Sequence, residues 1–161
     1  MEQAINPELA LRLVREAKVI AFDCETTGLT IQDKICGYVI TNQDYSLYTP
    51  TLHEGGGNVP NPKEFERDLA QAFRERSMLG YRTVGHNVGL DLRISLRHGV
   101  ELRGPLEDTM INEAVISDVN YGYGLEDSCL RHKVQPKKGD MIYAELARRF
   151  GGLPDKKQMG N

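Results

Sequence analysis

The chain has 161 residues, of which 40% are apolar and 27% charged, and its net charge is −3, a balance that fits one soluble domain with one core. No apolar stretch of about 18 residues is present and residues 1–3 lack a basic start, which excludes a membrane span and a signal peptide. The cysteines at positions 24, 36 and 129 have no CxxC spacing, which argues against a disulfide framework or a zinc site and predicts three buried packing residues in a reducing cytosol.

The first part of the chain predicts one helix followed by three strands. Asn6-Pro7 is typical of an N-cap followed by proline at the first helical position, and the apolar stripe after it extends the helix to about Glu16. Three β-rich segments follow at residues 18–24, 34–41 and 45–51. Sequential strands joined by short turns predict an antiparallel meander.

The rest of the chain predicts helices around one further strand. Residues 53–62 form a loop with a glycine triplet, and no Gly-Lys-Ser/Thr follows it, so it is a connection and not a phosphate-binding loop. A second capped helix begins at Asn61-Pro62, a short strand is predicted at 82–85, and further helices are predicted at about 89–98, 108–116, 125–132 and 141–150. This order predicts an α/β fold in which helices lie against a mixed sheet.

Two acidic residues, Asp23 and Glu25, stand two positions apart at the end of the first apolar strand. Alternation along a strand points both side chains to one face. Neighbouring carboxylates repel each other unless a cation neutralises them, and an all-oxygen ligand set favours Mg²⁺ or Mn²⁺. The alternative is a strand that has emerged into water with both acids solvated, and the pair alone does not separate the two.

A second polar segment, residues 86–92, lies at a predicted strand-to-helix junction. Asn87 suits the N-cap of that helix, and Asp91 lies one turn inside it, where its carboxylate can reach the end of the sheet. Three carboxylates from two segments can hold two metal ions about 4 Å apart around one scissile phosphate. Asp91 is otherwise a first-turn acid favoured by the helix dipole, and His86 is interpreted as a satisfied core histidine.

These segments resemble the DEDD (DnaQ-like) 3′→5′ exonucleases. Residues 22–29, FDCETTGL, resemble the first motif of that superfamily, and residues 85–92, GHNVGLDL, resemble the second. Residues 98–110 and 125–133 are similar to the proofreading domain of bacterial and phage family A DNA polymerases, which are DNA polymerase I-like. The resemblance covers residues 19–134 and implies a ribonuclease H-like fold that hydrolyses single-stranded 3′ ends to nucleoside monophosphates.

The resemblance also implies a role for each matching residue. Asp23, Glu25 and Asp91 would be the catalytic metal ligands for two ions of Mg²⁺ or Mn²⁺, with Asp23 bridging both ions and Asp91 acting at the second. Glu25 and the backbone near Thr26 would contact the terminal 3′-hydroxyl. Leu29 would act as a wedge between the last two bases, and Asn87 would hydrogen-bond the substrate strand. Asp108 is expected to cap its helix and not to bind metal.

The superfamily has a third motif, Tyr-x-x-x-Asp or His-x-x-x-x-Asp on a late helix, which supplies a fourth carboxylate and orients the attacking water. Tyr123 and Asp127 have the first spacing but lie too early, where a first-turn acid is expected, and nothing after Lys133 fits. We therefore expect one exonuclease-like domain over residues 1–161, with weak activity or none when alone. Truncation in a connecting loop before the C-terminal helix is favoured over a natural short protein that lost or borrows the last carboxylate.

Three functions are compatible with the sequence. The first is metal-dependent exonuclease action on single-stranded DNA 3′ ends, beside a DNA polymerase domain or subunit or free-standing, and the likeness at residues 98–110 favours it. The second is the same chemistry on RNA, and the third is an inactive module that binds nucleic acid or a polymerase, which the missing third motif supports. The expected location is the cytoplasm of a bacterial or phage-infected cell.

Overall fold

The computed structural model of the chain describes residues 6–30, 32–54, 56–117 and 122–135, together with Ala144 and Arg148. The chain divides into two compact units, Met1–Asn112 and Glu113–Asn161. One domain over all 161 residues stays a prediction.

The first unit is built on one mixed sheet. Its elements are α1 (Pro7–Glu16), β1 (Val19–Thr26), β2 (Ile35–Thr41), β3 (Ser46–Pro50), α2 (Pro62–Met78), β4 (Arg82–Gly85), α3 (Val88–Arg97) and β5 (Leu106–Asp108). The strand order is β3-β2-β1-β4-β5; β1, β2 and β3 form an antiparallel meander, while β4 pairs with β1 and β5 with β4 in parallel. The predicted mixed sheet is confirmed, whereas the three residues of β5 were not predicted because so short a run has no readable periodicity.

The first two helices begin as their sequences predict. The Asn6 side chain accepts a hydrogen bond from the Leu9 N–H at 2.9 Å, and the Asn61 side chain accepts one from the Glu64 N–H at 3.3 Å. A proline occupies the first turn of each helix, where its missing N–H leaves no bond unmade. Each Asn-Pro pair therefore marks the start of a helix, as the sequence predicts.

The two faces of β1 have different environments. Ile20 and Phe22 point into the core, where the Phe22 ring meets Phe73 of α2 edge to face at a centroid distance of 5.4 Å. Val19 and Ala21 alternate with them and are exposed on the other face. Asp23 and Glu25 continue this second face, so burial of the apolar set fixes where the two acids point.

Arg76 braces the first unit from inside. Its fully buried guanidinium donates hydrogen bonds to the carbonyl oxygens of Val14 in α1 and of Ala17 and Lys18 just after α1. It also donates to the Thr83 hydroxyl and the Arg82 carbonyl in β4. One side chain thus joins the end of α1, the start of β1 and the start of β4. A buried charge is tolerated here because each of its donors has an acceptor.

The second unit contains the second half of α4 (Thr109–Ile116) and all of α5 (Leu125–Arg131). The buried Glu113 carboxylate of α4 accepts hydrogen bonds from Arg131 at 2.6 Å and from His132 at 2.7 Å, and these bonds hold its pKa below the ordinary value. Both helices were predicted. The predicted helix at 141–150 lies outside the described residues except for Ala144 and Arg148, which are helical.

Candidate active site

Asp23 and Glu25 lie in the central strand of the sheet, near the end of β1. Asp23 pairs with Val39 of β2, and Glu25 pairs with Gly37, after which a register shift marks a bulge between Glu25 and Thr26. The parallel pairing with β4 has already ended at Ala21. The two carboxylates therefore stand where one neighbouring strand has stopped and the other is irregular, so that side chains from elsewhere can approach β1.

Asp91 approaches β1 at this point from the first turn of α3. Its Oδ1 atom accepts a hydrogen bond of 2.9 Å from the backbone N–H of Cys24, which lies between the two acids of β1. Because β4 no longer pairs with this part of β1, the carboxylate takes the place of a strand as the acceptor for that N–H. A residue 67 positions away is thus held beside Asp23 and Glu25.

The electrostatics of Asp91 follow from this placement. Asp91 is only 6% exposed, and burial raises the pKa of its carboxyl group from 3.8 to about 6. The hydrogen bond from Cys24 opposes this rise, and the nearby charge of Asp23 adds to it. Burial and the charge of Asp23 both disfavour the ionised form of Asp91, and a nearby cation would favour it.

The chemistry of these donors fits a hard divalent cation, since all three are carboxylates. Among the described residues, however, no group of three His, Cys, Asp or Glu side chains is arranged to hold a metal ion. The structure brings Asp91 to the backbone between Asp23 and Glu25 but does not converge the three carboxylates on one point. Their roles as metal ligands stay predictions.

The cysteines differ from the expectation of buried packing residues, because all three are partly buried and unpaired. Cys24 faces α3, where its Sγ atom lies 3.3 Å from the Ser95 hydroxyl. Burial raises the pKa of the Cys24 thiol far above its ordinary value. The thiol next to the two acids therefore stays protonated and takes part in packing.

The turn after β1 is fastened by Asp33, a residue that the sequence analysis did not identify. Its carboxylate accepts hydrogen bonds from the Thr27 hydroxyl at 3.0 Å and from the N–H and hydroxyl of Thr30 at 2.7 and 2.6 Å. The same carboxylate packs on Gly28, where an added Cβ would lie 2.7 Å from it. Leu29 lies in this turn and is 81% exposed.

Asn87 is not the side-chain cap that its position predicts. It occupies the N-cap position of α3 with a left-handed backbone, φ 58°, and its side chain makes no capping hydrogen bond. Asp108 caps instead, accepting from the N–H groups of Asn87 at 2.9 Å and Val88 at 3.0 Å. Asp108 also accepts from Met110 at the start of α4, which confirms the expected cap and leaves the exposed Asn87 amide available for other contacts.

His86 was expected to be a core histidine with its hydrogen bonds satisfied, but only one of its two ring nitrogens has a partner among the described residues. Its Nδ1 atom lies 2.9 Å from the Thr109 hydroxyl, which donates in turn to the Gly85 carbonyl at 3.1 Å. The Nε2 atom is buried and has no hydrogen-bond partner within the part of the chain that the structure describes. The ring is thus anchored through one nitrogen at the junction that also carries Asn87.

A cavity of about 810 Å³ lies behind the Leu29 turn, lined by cations such as Lys34, Arg74 and Arg97 and by acids such as Asp33 and Glu66. Its lining does not include Asp23, Glu25 or Asp91. Asp23 and Glu25 stand instead near the end of β1, and the buried Asp91 carboxylate lies beside them on α3.

The chain matches known proteins over most of its length. A family model described as a 3′-5′ exonuclease of the DNA polymerase A type matches residues 1–132. DNA polymerase DpoZ of Acinetobacter phage SH-Ab 15497 is 29% identical over 152 residues, which cover 92% of this chain and 22% of the phage protein. The chain thus spans about a fifth of the length of the curated relatives that it matches.

Solved structures share the fold at lower identity. Brucella melitensis NrnC with bound Mg²⁺ has a TM-score of 0.59 at 20% identity, and the match covers 77% of this chain and 58% of that one. Escherichia coli RNase D, an exoribonuclease involved in structured RNA processing, has a TM-score of 0.59 at 20% identity, with 84% of this chain and 33% of that one covered. With the observed sheet, these likenesses confirm the predicted ribonuclease H-like fold class.

Proposed function

Because the chain belongs to the 3′-5′ exonuclease family of the DNA polymerase A type, we propose that it acts on the 3′ end of single-stranded DNA and removes nucleotides with divalent metal ions. The observation that carries this proposal is the hydrogen bond from the Cys24 N–H to Asp91, which holds an acid of α3 beside the two acids of β1. DNA is favoured over RNA because the curated relatives are phage DNA polymerases.

Asp23, Glu25 and Asp91 are the residues that we propose as ligands of Mg²⁺ or Mn²⁺, with two ions in a complete site. Ions bound there would supply an activated water and stabilise charge on the scissile phosphate. The chain contributes strand alternation, which keeps Asp23 and Glu25 on one face, and the backbone bond that fixes Asp91. With a pKa of about 6, Asp91 is mostly ionised at neutral pH and can bind a cation.

The end of the substrate strand is proposed to lie between the turn after β1 and the start of α3. Thr26, whose hydroxyl donates to the Gly28 carbonyl at 2.5 Å, stiffens the turn beside Glu25. Leu29 offers an exposed apolar face on which bases can stack without regard to sequence. The Asn87 amide, released from helix capping by Asp108, can hydrogen-bond the strand.

The proposed partner and location rest on the relatives and not on the geometry of the site. Since the chain corresponds to about a fifth of its phage polymerase relatives, we propose that it works next to a DNA polymerase domain or subunit. None of the described helices is long and apolar enough to cross a membrane. The cytoplasm of a bacterial or phage-infected cell is the location that we propose.

A second candidate function is a module that binds nucleic acid or a polymerase without cleaving. The observation in its favour is that the described residues include no converged group of three metal-binding side chains. An RNA-directed exonuclease differs from the first proposal only in the sugar, and a ribonucleotide substrate tests it directly.

The deciding experiment is a Mn²⁺ titration by calorimetry together with cleavage of 3′-labelled single-stranded DNA and RNA of one sequence. We expect Mn²⁺ binding that is lost in Asp23→Ala, with slow release of mononucleotides from DNA or none. An exposed acid in the turn between β2 and β3, replaced as Asp44→Ala, is the matched control. Binding of DNA without Mn²⁺ binding would favour the inactive module, and faster cleavage of RNA would replace DNA as the substrate.

A further inference from the structure

One aromatic side chain outside the predicted site lies over Gly37, the residue that pairs with Glu25. Glu25 of β1 is paired with Gly37 of β2, and residues paired in this way point their side chains to the same face, with Cβ atoms about 5 Å apart. Gly37 has no side chain, and the ring of Tyr48 from β3 fills that place. A Cβ added at Gly37 would lie 2.5 Å from two ring carbons and the hydroxyl oxygen of Tyr48.

The geometry therefore places the hydroxyl end of Tyr48 about one strand spacing from Glu25, on the same face of the sheet. Burial raises the pKa of the Tyr48 hydroxyl to about 12, and the charge of Glu25 adds to this effect. A tyrosine hydroxyl carries its proton at neutral pH and can donate a hydrogen bond. Tyr48 is 37% exposed, so the ring is also open to the surface on which a substrate would lie.

His53 holds the ring in this place. Its Nε2 atom lies 2.5 Å from the Tyr48 hydroxyl, with the two ring centroids 5.6 Å apart. The backbone of His53 is itself fixed, because Asn58 accepts from its N–H at 2.7 Å and donates to its carbonyl at 2.9 Å. A tyrosine that accepts a hydrogen bond from His53 still has its own O–H to give to a carboxylate.

We propose that Tyr48, held by His53, is a positioning residue that donates a hydrogen bond to the Glu25 carboxylate and fixes it in the orientation that binds a divalent cation. This inference rests on the proposed exonuclease function, in which Glu25 is a metal ligand. Hydrogen-bond partners of ligating carboxylates set ligand orientation, and their loss costs about 10–100-fold in metal affinity or activity.

The competing interpretation is that Tyr48 and His53 only close the loop after β3. The two interpretations differ in Tyr48→Phe, which keeps the ring over Gly37 and removes the hydroxyl. Under the proposal, Mn²⁺ binds the 161-residue Tyr48→Phe chain about 10–100-fold more weakly than the wild type, in calorimetry without nucleic acid. Tyr45→Phe, which removes an exposed hydroxyl just before the same strand, should leave Mn²⁺ affinity unchanged.

His53→Gln supplies a second variant, since a glutamine amide can also donate to the Tyr48 hydroxyl. It should retain more Mn²⁺ affinity than His53→Ala, which lets the ring move. If Tyr48→Phe binds Mn²⁺ as tightly as the wild type, with or without a lower melting temperature, the positioning role of Tyr48 is overturned. If Asp23→Ala in the same experiment no longer binds Mn²⁺, the metal site itself is upheld. A wild-type chain that binds no Mn²⁺ overturns the proposed function and this inference with it.

Discussion

Replacing Asp91 by asparagine removes one negative charge from the candidate site and keeps the size of the side chain. The amide oxygen of asparagine can still accept the hydrogen bond that the Cys24 N–H donates to Asp91 at 2.9 Å. The variant therefore separates the cost of a buried charge beside Asp23 from the contribution of the hydrogen bond.

The size of the effect follows from the pKa of Asp91, which burial and then the charge of Asp23 raise from 3.8 to about 6. A carboxyl group with a higher pKa in the folded state binds more protons there, so the free energy of unfolding falls as pH rises between those two values. The loss is about 1.4 kcal/mol per pH unit, or about 3 kcal/mol across the window. Asp91→Asn has no such loss.

We expect Asp91→Asn to be more stable than the wild type by about 2–3 kcal/mol at pH 7.5, a rise in melting temperature of about 5–10 °C for a chain of this size. The assay is thermal unfolding by circular dichroism in chelator, at several pH values from about 4 to 7.5. The difference should shrink as pH falls, to below about 1 kcal/mol at pH 4. Asp44→Asn, which changes an exposed acid in a turn, is the control for net charge.

Two results would refute this reasoning. One is an Asp91→Asn chain that melts at or below the wild-type temperature at pH 7.5. The other is a gain that stays constant with pH, because a buried carboxylate must give a gain that grows as the carboxylate ionises.

Three further predictions concern the supports of the site. Arg76→Ala should lower the free energy of unfolding in urea by about 3–5 kcal/mol, because buried carbonyls lose their donor, and a loss below about 1 kcal/mol would contradict the bracing role. Asp108→Ala should lower the free energy of unfolding by about 1–2 kcal/mol for each helix that Asp108 caps. If Asp108→Asn lowers it by as much as Asp108→Ala does, Asp108 contributes packing and not capping. Asp33→Asn should lower the melting temperature at neutral pH but not near pH 3, because hydrogen bonds from Thr30 hold the pKa of this carboxyl below its ordinary value; a pH-independent difference would contradict this.

The sequence predicts structure best where a residue's role depends only on its neighbours in the chain. Asn-Pro at two positions predicts two helix starts, and the spacing of Asp23 and Glu25 predicts a shared face, because capping and strand alternation depend on neighbours a few residues away. The meander follows in the same way from short turns between β-rich segments. These features needed no knowledge of distant contacts.

What the sequence does not reveal depends on residues far apart in the chain. Asp108 caps α3 from 20 residues away, so Asn87 looks like the cap when only its own neighbours are considered. Tyr48 lies over Gly37, the residue paired with Glu25, because of the register of β1, β2 and β3. Neither β5 nor the Asp33 brace has a periodic pattern, and turn acids are too common to single one out.

The position of Asp91 links the stability of the fold to the chemistry proposed for the site. Because β4 stops pairing at Ala21, the N–H of Cys24 needs another acceptor, and a neutral side chain on α3 would satisfy it at lower cost than an aspartate. The aspartate instead brings a buried negative charge close to Asp23. A divalent cation would relieve that repulsion, so the charge that lowers the stability of the metal-free fold is the charge that would raise its affinity for metal. Stability and metal affinity therefore make opposite demands on this one position.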